Sequence, residues 1–207
     1  MNEFLSTLLI FLLIMNPLDL VPIFLSLTAG TPSNYKKKMA IKGPIIAWSI
    51  LLFFGFLGDS ILSGLGISLA AFRVGGGILL GITGIRMVLE HRQKTNRAKA
   101  EALNAHDDLE DIAVFPLATL FLAGPGSMTA MIIAMNASGG DWLTQLLTVA
   151  AMTLVLVAVM VSFILSGKIA HRIPEDFTSA ITRVLGILLI ALAVQLVFDG
   201  TKIAFSL

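Results

Sequence analysis

The sequence contains no cysteine. That excludes disulfides, thiolate metal sites and cysteine nucleophiles, and it says nothing about compartment. Charge is the second shortage. Charged residues make up 13% of the chain and hydrophobic ones 57%, whereas a soluble domain carries roughly 25% charged residues. An oily soluble core does not explain so large a deficit. The formal net charge is only +1, too little to attract nucleic acid. Catalytic signatures are missing as well. His91, His106 and His171 fall in connecting segments without metal-ligand spacing. There is no Ser-His pairing and no HExxH. Gly75-Gly76-Gly77 lacks the Lys-Ser/Thr of a phosphate loop. We therefore expect no enzyme, no catalytic residue, no metal and no cofactor, and any transport would have to run on a gradient.

What the chain does have is long apolar stretches. A membrane span needs about 20 apolar residues. Six segments qualify: residues 4–28, 40–62, 67–89, 113–135, 142–166 and 179–199. The short alternating segments of a membrane β-barrel are absent. The expected fold is an all-α membrane protein of six transmembrane helices, in contact with the lipid bilayer. The first apolar run is preceded by Glu3 and by no Lys or Arg. It reads as a retained first span and not as a removable signal.

The connecting segments sort by charge. Lys36, Lys37, Lys38 and Lys42 lie in the first, Arg92, Lys94, Arg97 and Lys99 in the third, Lys168 and Arg172 in the fifth. The second and fourth carry Asp59 and Asp141 and almost no bases. The positive-inside rule places the odd connections in the cytoplasm and both termini outside.

The chain also repeats itself. Gly77-Ile78-Leu79-Leu80 returns as Gly186-Ile187-Leu188-Leu189, a shift of 109 residues, and Glu90 returns as Asp199 at the same shift. Phe72-Arg73-Val74 returns as Thr182-Arg183-Val184. Met15-Asn16-Pro17-Leu18-Asp19 lines up with Ala123-Gly124-Pro125-Gly126-Ser127 at a shift of 108. Repeats are the feature to find first. The expected organisation is repeat one over residues 1–89, a cytoplasmic connection over 90–112 and repeat two over 113–207. Three spans per repeat is an odd number, so the second copy enters the membrane from the opposite side. Such inverted repeats are the architecture of many secondary transporters.

Each repeat carries a helix break in its first span. Proline lacks an N–H and clashes with the preceding turn, and it is favoured at the first position of a new helix. Asn16-Pro17 and Gly124-Pro125 therefore read as the end of one half-helix and the start of the next, with Pro22 loosening the first span again. The starts of the second halves present unpaired N–H groups and a partial positive charge. Ends of that kind hold anions, including the carboxylate of an amino acid. Asn16, Pro17, Asp19, Gly124, Pro125, Gly126 and Ser127 are thus the candidate substrate-binding residues. Asp19 is a functional candidate because a charge inside the membrane is costly; it would hold an ammonium group or a coupling proton, or pair with an arginine. A helix-dipole role is its bland alternative. Arg73 and Arg183 are candidates for gating or charge pairing, against simple snorkelling to the interface. Gly75, Gly76, Gly77, Gly81 and Gly84 give span three a small face, answered by Gly186, Ala191 and Ala193 in span six. Such a face serves internal packing, a hinge or a homo-oligomer.

These residues resemble the MarC family. The resemblance rests on Asn16-Pro17-Leu18-Asp19 with Val21-Pro22-Ile23-Phe24, on Phe72 to Leu80, on Pro116-Leu117-Ala118 with Ala123-Gly124-Pro125-Gly126, and on Thr182-Arg183-Val184. It covers essentially the whole chain and is nearest to the bacterial YhgN-type members. It implies a six-span inner-membrane protein. Through the SnatA-type members it implies transport of small neutral amino acids; a gradient-driven carrier would have a proton or sodium as possible coupling ion. A non-transporting scaffold, a channel, or an ion or drug exporter are the alternatives.

Overall fold

A computed structural model describes residues 2–89, 113–167 and 175–205. Every regular element among the described residues is a helix, and no strand occurs among them. In chain order they form α1 (Asn2–Met15), α2 (Pro17–Leu27), α3 (Ser33–Gly64), α4 (Leu69–Val88), a π-helix (Ala113–Leu122), α5 (Pro125–Ala137), α6 (Trp142–Ile164) and α7 (Glu175–Phe205). Five stretches are long and apolar enough to cross a membrane: Phe4–Leu27, Ser33–Gly64, Leu69–Val88, Trp142–Ile164 and Phe177–Phe205. The expected fourth span is split into the π-helix and α5, of 10 and 13 residues. Neither piece alone reaches the length of a span.

Helix ends follow local chemistry. Ser68 caps α4 by accepting from the Ala71 N–H at 3.1 Å. Asp141 caps α6, accepting from the Thr144 N–H at 2.9 Å and from the Thr144 hydroxyl at 2.6 Å. The Thr144 hydroxyl first, then the Thr144 N–H, hold the Asp141 carboxyl below its ordinary 3.8. Two elements exceed the expected spans. Helix α3 starts seven residues before the expected 40, running through the turn that bears Lys36, Lys37 and Lys38, and α7 extends from Glu175 to Phe205 around the expected 179–199. Lysine and glutamate are good helix formers, so a helix outruns its apolar portion at the ends. Helix α2 continues through Pro22, and α3 through Pro44.

The core runs along the axis of the bundle. Phe11, Met15, Leu20, Leu51, Met131 and Val155 are among its fully buried side chains. Phe24 of α2 stacks on Phe163 of α6, with ring centroids 4.5 Å apart and planes 10° from parallel. Trp48 of α3 donates to the Thr153 hydroxyl of α6 at 2.8 Å. Outside this core, large apolar side chains such as Phe53, Phe56, Leu79, Leu154 and Ile187 lie exposed. Hydrocarbon is the solvent that suits them.

The closest helix pair is α4 with α7. A Cβ on Gly77 would lie 2.8 Å from the Ala193 carbonyl oxygen, one on Gly84 2.8 Å from that of Gly186, and one on Gly200 2.8 Å from that of Ala70. Contacts advance along α4 as they retreat along α7, so the two helices run antiparallel. The contact positions are seven residues apart on each helix, the period that keeps two helices together in a left-handed wrap. Backbone touches backbone at each one, which only glycine permits. The glycine stretch of α4 does not share one face, as the sequence had suggested. Gly77, Gly81 and Gly84 face α7, Gly76 lies under Thr129 of α5, and Gly75 borders open space. Ala191 of α7 is exposed and lies off the seam, whereas Gly200 is on it. Consecutive residues on a helix point about 100° apart, so a triple glycine cannot address one neighbour.

Candidate functional site

The first break falls between α1 and α2 at Asn16. Its φ of 35° is left-handed, the only positive φ at a non-glycine residue among those described. Pro17 follows at the first position of α2. Having no N–H, Pro17 leaves the Leu13 carbonyl without its helical donor. The Asp19 and Leu20 N–H groups turn back to the Asn16 carbonyl at 3.1 and 3.4 Å. The N–H of Asp19 is thereby diverted from the carbonyl of Met15.

The side chain of Asn16 makes no capping bond to α2, although asparagine is among the favoured residues at a helix N-cap. It reaches another helix. Its Nδ2 donates to the Thr182 hydroxyl of α7 at 3.4 Å, and that hydroxyl donates to Asp19 Oδ1 at 2.6 Å. The shorter bond has the length of a hydroxyl on a carboxylate. Asn16 and Asp19 are each 1% exposed and Thr182 3%. A polar triad is therefore sealed inside the membrane-spanning bundle and joins helices distant in sequence. Thr182 was not among the sequence candidates. Its signal was present, since it opens the repeated Thr182-Arg183-Val184, but Arg183 drew attention by its charge.

The second break is built differently. Gly124 precedes α5 in an extended conformation, with φ −68° and ψ 173°, and Pro125 starts the helix. The Met128 N–H bonds to the Gly124 carbonyl at 3.0 Å. Gly124 and Ser127 are buried, Gly126 is half-buried and Pro125 is exposed. Among the described residues of this break, 123–128, there is no carboxylate. On the preceding side the chain is a π-helix, and the Ala123 N–H reaches back five residues to Ala118 at 2.7 Å.

The two breaks lie close together. A Cβ on Gly126 would sit 3.0 Å from Leu80 Cδ2 and 3.5 Å from Ile14 Cγ2. Ile14 is two residues before Asn16. Next to them is a cavity of about 250 Å³ with Phe11, Leu80 and Ala130 in its wall. Ser6, Thr7, Ser138, Thr144 and Thr148 contribute hydroxyls to the lining, which carries no charge. None of Asn16, Asp19, Gly124 or Ser127 belongs to the lining. A second, more polar cavity of about 420 Å³ lies between α3 and α5, beside Asp59, Asn136 and Gln145. There Asn136 Nδ2 donates to Asp59 Oδ1 at 2.9 Å.

The arginines are not alike. Arg73 is half-buried and its Nε has no hydrogen-bond partner among the described residues. Arg183 is exposed. Glu90, His91, His106, His171 and the connection 90–112 lie outside the described residues.

A sealed polar triad, two helix breaks side by side and an all-helical apolar bundle agree with the motif pattern. A model of the MarC family of integral membrane proteins matches residues 1–205. The chain belongs to the MarC family. Among its MarC relatives, a UPF0056 membrane protein of Methanocaldococcus jannaschii is 37% identical over 190 residues, covering 91% of each chain. One of Aquifex aeolicus is 35% identical over 202 residues, covering 96% of this chain and 92% of the relative. The UPF0056 inner membrane protein MarC of Escherichia coli O1:K1 / APEC is 27% identical over 195 residues, covering 89% and 87%. No solved structure matches. The protein is thus a multi-pass integral membrane protein of the MarC family, in contact with lipid.

Proposed function

We propose that the protein is a gradient-driven carrier of small amino acids, built from two inverted three-helix repeats with six spans. One observation carries this reading: the two helix breaks lie close together, and Leu80, which Gly126 approaches, is also in the wall of a cavity with Phe11 and Ala130. Irregular backbone at membrane depth is tolerated where it is buried in protein or lines a cavity. The seam between α4 and α7 supports the repeat. Shifting the pair Gly77–Ala193 by 109 residues turns it into Gly186–Gly84, itself a contact. A twofold exchange of the repeats would map these two contacts onto each other.

The two breaks have different parts in this reading. At the first, two N–H groups are already spent on Asn16, and Asp19 supplies negative charge. At the second, Gly126 and Ser127 head α5 with no acid nearby, and first-turn N–H groups have no helical acceptor. The substrate carboxylate is then held at Gly126 and Ser127, and the first break receives a positively charged group. The base-rich odd connections face the cytoplasm, both termini lie outside, and in a Gram-negative cell the membrane is the inner one. Direction of transport follows from the gradient used.

The test is counterflow of labelled glycine, alanine, serine and threonine into liposomes holding the purified protein. We expect saturable exchange that falls at least tenfold in Gly126→Val, whose side chain would meet Leu80 and Ile14. A second reading is a non-transporting bundle. It draws on the near-complete burial of Asn16, Asp19 and Ser127, all outside the cavity wall. Folded protein that exchanges none of the four amino acids would favour that bundle over the carrier.

A further inference from the structure

We infer that Asn16, Asp19 and Thr182 form a binding site for a single sodium ion, which pins α7 to the break in the first span. The role as coupling ion rests on the carrier reading; the binding site does not. The three side chains come from two helices and meet at 2.6 and 3.4 Å. All are at most 3% exposed, and burying three polar groups inside an apolar bundle is costly unless they serve one another or a ligand. Asn16 adds a second cost, since it is held in a left-handed conformation. Strained backbone of this kind clusters where ligands are clamped.

The chemistry of the groups selects the ligand. Oxygen donors suit hard cations. One carboxylate balances one positive charge, which favours a monovalent ion over calcium or magnesium. The Thr182 hydroxyl can keep its bond to Asp19 while a lone pair faces the ion. The Asn16 amide contact at 3.4 Å is long for a hydrogen bond. A half-turn of that amide replaces Nδ2 by Oδ1 at little loss. The break adds further oxygens on the same stretch of chain: Pro17 gives no N–H to the Leu13 carbonyl, and the Asp19 N–H has turned from Met15 to Asn16. Carbonyls at the end of a half-helix carry partial negative charge. A substrate ammonium fits less well here. It brings its own substituent, and no wall of the 250 Å³ cavity is formed by the triad. A bare ion needs no such room.

The test is equilibrium binding of radioactive sodium to the purified full-length protein in detergent, at constant ionic strength set with choline chloride. We expect saturable binding that unlabelled sodium displaces and potassium does not. Asp19→Asn should abolish it. Thr182→Val should weaken it by about tenfold, the loss of one hydrogen-bonded ligand, while Thr182→Ser stays near wild type. Helicity by circular dichroism and a monodisperse gel-filtration peak establish that each variant is folded. Should Asp19→Asn fail that check, the Thr182 pair decides. No saturable sodium binding by folded wild type overturns the inference, and so does equal displacement by potassium or equal binding by Thr182→Val and Thr182→Ser. Sodium binding without amino-acid counterflow refutes the carrier and leaves the site standing. Counterflow without sodium binding does the reverse.

Discussion

Asn16 pays twice for its place, once in backbone strain and once in the burial of an amide. A left-handed conformation costs an L residue about 1 kcal/mol or more, and glycine almost nothing. The two costs can be separated. Asn16→Gly relieves the backbone and removes the amide; Asn16→Ala removes the amide and keeps the strain. We expect the alanine variant to be less stable than the glycine variant by about 1 kcal/mol, read as the difference in unfolding free energy in detergent. Equal stabilities would mean that the left-handed turn is not strained. The position of this residue was legible in the sequence, because proline cannot donate an N–H and Asn16-Pro17 sits inside an apolar run. Its partner was not. Thr182 is 166 residues away, and no local pattern states which helix a buried amide will meet. Gly124-Pro125 was legible for the same reason as Asn16-Pro17, and α5 begins at Pro125.

At the scale of helices, apolar length located most of what is there. The expected first span covers α1 and α2, and the third and fifth match α4 and α6 to within a few residues at each end. The fourth carried a feature that hydropathy cannot report. A π-helix and an α-helix have the same composition and differ in which carbonyl each N–H chooses, and Pro116, inside the π-helix, has no N–H to give. Glycine faces were only half legible, because whether a missing Cβ matters depends on what stands opposite. That difference is measurable within a single helix. Gly84→Leu would drive a side chain into the Gly186 backbone, and overpacking of this sort costs about 1–3 kcal/mol. Gly75→Ala faces open space, and replacing glycine inside a helix gains up to about 1 kcal/mol. Thermal unfolding should therefore move down for Gly84→Leu and stay level or rise for Gly75→Ala. A loss of equal size in both would remove the seam as the reason for the glycines.

For the molecule as a whole, the absence of cysteine makes orientation directly testable. Single cysteines can be introduced at Lys37, near the start of α3, and at Gly139, between α5 and α6. A third, at Thr7, lies in the cavity wall. In intact cells a membrane-impermeant maleimide should label the Gly139 and Thr7 positions and reach Lys37 only after the membrane is opened. Labelling of Lys37 from outside would invert the topology. The charge sorting that supports this arrangement was legible because lysine and arginine are counted, not folded.

The contacts of α7 set a condition on how the protein is made. Gly77, Gly81 and Gly84 of α4 meet their partners in α7, and Asp19 meets Thr182 there too. Gly84 and Gly186 are about a hundred residues apart, and ribosomes add about 5–20 residues per second. For several seconds the notched side of α4 and the acid of the first span wait in the membrane without their mates. Of the described helices, α7 is synthesised after all the others and closes the bundle. A chain stopped before it would display its unmatched grooves and its acid to the quality-control machinery of the cell.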